Sequence, residues 1–142
     1  GYRVKFADDK PYWEQVASSD DSEETFKKYL RIVFSYSSTL SMENESRPVD
    51  ISELKVGDIF IKGGSPGHVV MVADICENEV GEKAFLLAQG FMPAQSFHII
   101  KNPAHSEDPW YYESEITYPF ITQSYTFDDG SLRRPIIWIS IK

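Results

Sequence analysis

From Gly57 to its end the chain is a series of short β-rich runs separated by turn residues, and this pattern limits the fold more than any other feature. The link that follows Cys76 has seven residues, too few for the crossover of about a dozen that parallel strands need. The strands on either side of it are therefore predicted to pair antiparallel. The predicted strands are Ile59 to Ile61, Val69 to Ile75, Phe85 to Phe91, Phe97 to Ile100 and Ile136 to Ile141.

One amphipathic helix precedes these strands. It is predicted to begin at about Ser22, where Asp21 and Glu24 resemble a capping box at the positive end of the helix dipole. Apolar residues spaced at helical intervals form a stripe along one face of this helix, and such a stripe needs a surface to cover it. We therefore expect the stripe to pack on an antiparallel sheet that includes Val69 to Ile75. The predicted class is α+β, with one main N-terminal helix packed on a mostly antiparallel sheet. The stripe consists of Phe26, Tyr29, Leu30, Val33 and Phe34.

Length and charge narrow the possible classes of protein. The 142 residues suit a single domain over residues 1–142. With 22 acidic and 14 basic residues the net charge is −8, which has the wrong sign for a phosphate backbone. Nucleic acid is therefore not an expected partner. The longest nearly uncharged apolar run, Val69 to Ile75, is far shorter than the ~20 residues of a transmembrane helix, so no membrane span is predicted.

The most informative candidate for a functional residue is His68. It is predicted to be the first residue of a buried strand, directly after the glycine-rich turn from Gly63 to Gly67. The turn is not a phosphate-binding loop, because the next element is a strand and no Lys-Ser or Lys-Thr follows the glycines. Gly67 leaves room for backbone or substrate to approach the imidazole, which suits a general base. A structural histidine at a strand start remains the alternative.

Two stretches of sequence carry a family resemblance. Gly57-Asp58-Ile59-Phe60, followed by Pro66-Gly67-His68-Val69-Val70-Met71-Val72, resembles the strand-turn-strand around the histidine of papain-like cell-wall hydrolases of the NlpC and CHAP type. From about Tyr12 to about Phe127 the chain also resembles a bacterial family, domain of unknown function 4846. This second resemblance runs through Phe34 to Ser41, Gly63 to His68, Leu87 to Gln95 and Pro109-Trp110-Tyr111.

The resemblance implies a papain-like α+β fold, amide cleavage in a peptide or in peptidoglycan, and a secreted, periplasmic or cell-envelope location. Papain-like catalysis needs a cysteine at a helix N-terminus, earlier in the chain than its histidine. In the family of domain of unknown function 4846, the helix with this cysteine lies upstream of the matching segment. The resemblance therefore implies that these residues are the C-terminal part of a longer family domain, which is truncated here. As a cysteine hydrolase, this chain alone is expected to be inactive.

The one cysteine of the chain, Cys76, follows His68 by eight residues. Eight residues of straight strand span roughly 26 Å, so the thiol is not expected to reach the imidazole. Cys76 is instead predicted to be a buried structural residue. Asp74 is predicted to share the face of His68 but to lie about 20 Å along the strand, too far to orient the imidazole.

Papain-like sites also need a polar residue on the next strand to orient the imidazole. A hairpin that turns near Val80-Gly81 places His68 opposite residues 91 to 93, so Gln89 and Gln95 are both candidates. Gln89 is slightly favoured, and a structural role in capping the backbone is the alternative for each amide.

Residues 104–135 are predicted to form a long aromatic-rich excursion. Two roles fit Trp110 and Tyr111, namely lining a groove for sugar or peptide and anchoring this loop. His98 and His105 lack the paired spacing of metal ligands, so no metal and no cofactor is predicted.

Three functions are open to such a chain. The first is a papain-like amide hydrolase with His68 as its base, and the second is a non-catalytic module that binds a glycan or a peptide. The third is a purely structural domain without a ligand. A peptide or peptidoglycan-type ligand fits the first two, and nothing in the sequence indicates the oligomeric state.

Overall fold

The computed structural model describes residues 1–8 and 10–136, and the chain divides into two compact units, Gly1–Ser37 and Ser38–Lys142. That both units belong to one domain stays a prediction. The predicted strand from Ile136 to Ile141 lies outside the described residues apart from Ile136, which follows a strand and is not itself in one.

The first unit contains a hairpin and the main helix. Strands β1 (Tyr2–Ala7) and β2 (Lys10–Gln15) pair antiparallel, and helix α1 spans Glu23–Tyr36. The helix begins where it was predicted, but its cap is Ser22 and not Asp21. The Ser22 hydroxyl accepts a hydrogen bond from the Thr25 amide at 3.3 Å, which satisfies one of the free N–H groups of the first turn.

The predicted burial of the helix stripe is wrong. No residue of α1 is buried, and Phe26 and Phe34 are 56% and 74% exposed. The element that shares a unit with α1 is the β1–β2 hairpin, whereas Val69 to Ile75 belong to the second unit. An amphipathic pattern marks the face that can be covered, but it does not identify the covering surface.

Within the described residues, the second unit is built on an antiparallel sheet of seven strands, preceded by a short helix, α2 (Thr39–Asn44). The strands of this sheet are β3 (Ser46–Pro48), β4 (Ile59–Lys62), β5 (His68–Glu77), β6 (Lys83–Gln89), β7 (His98–Ile99), β8 (Tyr111–Tyr112) and β11 (Leu132–Pro135). Their order is β3–β11–β4–β5–β6–β7, and β8 also pairs with β6. Strands β9 (Phe120–Ile121) and β10 (Thr126–Phe127) form a separate antiparallel pair.

The class predicted from sequence is confirmed at the level of a mixed α+β chain with one main helix and antiparallel sheets. Strands β4 to β7 occur where the β-rich runs predicted them, and β5 pairs antiparallel with β6 as expected. The region 104–135 is more ordered than a single excursion, since it contains β8, β9, β10 and β11. Within the described residues, no helix is both long enough and apolar enough to span a bilayer.

An irregularity in β5 changes which side chains share a face. Val72 pairs with Leu87, yet Asp74 pairs with Leu86, so the register shifts between Val72 and Asp74. One extra residue on a strand reverses the faces of the side chains beyond it. Asp74 therefore lies on the face opposite His68, and the prediction that they share a face is wrong.

Cys76 also lies beyond this irregularity. It pairs with Ala84 near the end of β5, and it is exposed. The prediction of a buried cysteine is therefore wrong, because the irregularity in β5 turns the Cys76 side chain to the face opposite the buried residues Val70 and Val72. We accordingly expect the Cys76 thiol to be open to reagents in the native state, unlike a buried thiol.

The core of the second unit is aromatic at its centre. The ring of Phe60, on β4, is fully buried, and it lies 4.6 Å from the ring of Phe120 and 6.2 Å from that of Phe85. Around these rings pack Leu54, Val70, Val72, Leu87, Ile100, Tyr111, Phe127 and Leu132.

Candidate functional site

His68 stands at the start of β5, at the edge of this core. Alternation along the strand places its side chain on the same face as Val70 and Val72, both of which are buried. Two aromatic rings lie next to the imidazole, with centroid distances of 5.4 Å to Phe91 and 5.2 Å to Tyr125. The ring itself is half-buried, because the core ends here and a cavity begins.

The structure brings Gln89 to this imidazole. Gln89 is the last residue of β6, and its side chain is 2% exposed. Its Oε1 lies 2.7 Å from His68 Nε2, and its Nε2 donates to Ser124 Oγ at 3.1 Å. Both ends of a buried amide are thus hydrogen-bonded, which holds it in place at little desolvation cost.

This pairing has a consequence for the two nitrogens of the imidazole. A carbonyl-type oxygen at Nε2 accepts a hydrogen bond, so the neutral ring carries its proton on Nε2 and leaves a lone pair on Nδ1. Among the described residues Nδ1 has no hydrogen-bond partner. The arrangement therefore offers a positioned nitrogen base with a fixed tautomer, which is what general base catalysis requires.

The glycine turn before His68 is held by α2. A side-chain carbon at Gly67 would meet Thr39 Oγ1 and would lie 2.6 Å from the Gly64 carbonyl oxygen, so no larger residue fits there without movement. Glu43 accepts a hydrogen bond from the Gly63 amide at 3.2 Å. Glycine at position 67 thus allows α2 to pack closely against the turn. This packing fixes the backbone from which the imidazole projects.

A cavity of about 530 Å³ opens beside the imidazole. This volume lies within the range of about 300–1,000 Å³ typical of small-molecule sites. Of the two candidate amides, Gln89 contacts the imidazole, and Gln95 lines the cavity beside it. The lining residues are Pro66, Gly67, His68, Gly90, Phe91, Met92, Ala94, Gln95 and Tyr125.

The structure places Trp110 and Tyr111 elsewhere. Tyr111 is 2% exposed and donates its hydroxyl to the Lys101 carbonyl at 2.8 Å, and burial raises the pKa of this phenol to about 12. Trp110 is half-buried, and its carbonyl accepts a hydrogen bond from Asn102. Neither side chain lines the cavity at His68, and the Tyr111 ring packs in the core of the second unit.

Tyr111 also borders a second cavity, of about 320 Å³. His105 pairs with Glu115 at 2.7 Å, and Glu115 lines this second cavity. In the parts of the chain that the structure describes, no three His, Cys, Asp or Glu side chains gather as a metal site would require.

Sequence reasoning missed three residues of the site, namely Ser124, Phe91 and Tyr125. Phe91 was within reach of the sequence, because the hairpin register already placed residues 91 to 93 opposite His68. Ser124 and Tyr125 gave no local signal, since they lie in the turn between β9 and β10 and reach the imidazole and its amide through tertiary folding alone.

Comparison with known proteins identifies the family to which the chain belongs. No curated protein and no solved structure matches it, so the papain-like relationship has no support from these comparisons. The family model described as domain of unknown function (4846) matches residues 1–134. The chain therefore belongs to the family of domain of unknown function 4846.

Proposed function

We propose that the cavity at His68 is the acid–base part of an amide hydrolase site, related to the papain-like cell-envelope hydrolases, and that its ligand is a peptide or a peptidoglycan-type peptide. In this proposal His68 Nδ1 takes a proton from the nucleophile, and Gln89 orients the imidazole. The observation that carries the proposal is the 2.7 Å contact between His68 Nε2 and the amide of Gln89, which is 2% exposed.

The nucleophile in this proposal does not come from the cysteine of this chain. Cys76 is the one cysteine among the 142 residues, and it lies beyond the β5 irregularity on the face opposite His68. We infer that the attacking thiol is supplied from outside these 142 residues. By itself the chain then binds the ligand and does not cleave it.

A second function, a non-catalytic module that binds peptides or glycans, is favoured by the walls of the cavity. Phe91, Met92 and Tyr125 give it apolar and aromatic sides, which suit the ring faces of sugars and the side chains of peptides. Such a module would use the same imidazole as a hydrogen-bonding group without transferring its proton.

Turnover by the complete gene product that contains this chain separates the two functions. With a peptide or muropeptide substrate we expect His68→Ala to lower kcat by about 10²–10⁴-fold, the usual contribution of a general base. His105→Ala is the matched control, because the His105 side chain is 37% exposed and does not line the cavity at His68. Circular dichroism of both variants shows whether the fold is retained.

Three results would count against the hydrolase. Full turnover by the His68→Ala variant would remove His68 from catalysis. Turnover by the 142-residue chain alone would refute the inference that the nucleophile lies outside it. Binding of the substrate without turnover by the complete gene product, if His68→Ala weakens that binding, would establish the binding module instead.

A further inference from the structure

The cavity at His68 differs from the rest of this chain in its charge. The protein carries 22 acidic and 14 basic residues, yet among the described residues no Asp, Glu, Lys or Arg lines the cavity. Apart from His68, the lining side chains are apolar, aromatic or an uncharged amide. A ligand group that enters the cavity therefore meets, in the part of the chain that the structure describes, no carboxylate, ammonium or guanidinium group on its walls.

Transfer of a charged group from water into such surroundings is costly unless an opposite charge compensates it. We propose that the cavity selects peptides by one uncharged apolar side chain, aromatic or aliphatic, and discriminates against acidic and basic side chains. This selectivity rests on the proposed function, because it takes the ligand to be a peptide.

The walls indicate how such a side chain is held. The rings of Phe91 and Tyr125 lie within 5.4 Å of the imidazole, centroid to centroid, and both line the cavity, so they offer aromatic surface next to the imidazole. Met92 is 80% exposed, and its flexible thioether suits side chains of different shape.

The test is a titration of the ¹⁵N-labelled 142-residue chain with four blocked amino acids, the N-acetyl N-methylamides of phenylalanine, leucine, lysine and glutamate. Their backbones are identical, so differences in Kd report the side chain alone. We expect phenylalanine and leucine to bind about tenfold or more tightly than lysine and glutamate, which corresponds to about 1.4 kcal/mol. The shifted amides should be those of Gly67, His68, Gly90 and Phe91.

A charge placed on the wall makes the test independent of the absolute affinities. Met92→Glu introduces a carboxylate at the cavity, and its matched control is Val80→Glu, which adds the same charge at a site 79% exposed in the β5–β6 turn. We expect Met92→Glu to tighten binding of the lysine derivative several-fold and to weaken that of phenylalanine, whereas Val80→Glu leaves the order unchanged.

The outcomes separate this inference from the proposed function. Equal affinities for all four derivatives, with shifts centred on His68, would overturn the selectivity and leave the peptide site standing. Absence of shifts around His68 with every derivative would overturn both. A response to Val80→Glu as large as that to Met92→Glu would show that general charge, and not the wall of the cavity, sets the preference.

Discussion

Replacing Phe60 with alanine is expected to lower the free energy of unfolding of this protein by about 3–5 kcal/mol. The side chain is 0% exposed and touches three other aromatic rings, so its removal loses apolar burial and leaves a space that neighbouring rings cannot fill. Urea denaturation followed by fluorescence measures the change, with the slope of the transition expected to stay constant.

Val80→Ala is the control for this substitution, because Val80 is 79% exposed and surface truncations change stability by about 0.5 kcal/mol or less. A loss below about 1 kcal/mol for Phe60→Ala would fall outside the range for a filled aromatic site and would contradict the placement of this ring at the centre of the core.

Arg134→Ala is expected to cost about 3 kcal/mol, because it would leave a buried carboxylate without its cation. Asp58 is 1% exposed, and Arg134 reaches both of its oxygens, with Nε at 2.7 Å from one and a terminal nitrogen at 2.8 Å from the other. The pair joins β11 to the residue just before β4, and β4 in turn pairs with the first residues of β5.

The matched control for the ion pair is Arg47→Ala. Arg47 is exposed on β3 and pairs in register with Arg134, so it tests the loss of an arginine from the same edge of the sheet without the buried partner. Equal stability of the Arg47→Ala and Arg134→Ala variants would show that the Asp58 contact adds nothing to folding.

Much of the second unit was predictable because its signals are local. Turn residues bound β4, β5 and β6, and the short link after Cys76 permits only an antiparallel hairpin. Local signals also predict that His68 stands at the start of a strand. They reduce the candidates for its partner to two residues, Gln89 and Gln95. Hairpin register is set by a turn and by alternation, both of which a sequence displays.

The remaining features depend on contacts between distant segments. No residue near Ala73 signals the irregularity in β5 in the sequence. This irregularity determines the faces of the sheet on which Asp74 and Cys76 lie. The apolar stripe on α1 does not indicate from sequence whether the helix packs on the hairpin of its own unit or on a sheet elsewhere. Likewise, Tyr111 looks the same in sequence whether its ring lines a groove or packs in a core, because aromatic residues suit both surroundings.

The nitrogen chemical shifts of His68 test the central claim most directly, since that claim is an imidazole held at Nε2 by Gln89 with Nδ1 free. At alkaline pH, in the ¹⁵N-histidine-labelled chain, we predict one tautomer, protonated on Nε2, and a mixture of tautomers in the Gln89→Leu variant, which lacks the acceptor. A wild-type His68 protonated on Nδ1, or one that exchanges between tautomers as free histidine does, would contradict the account.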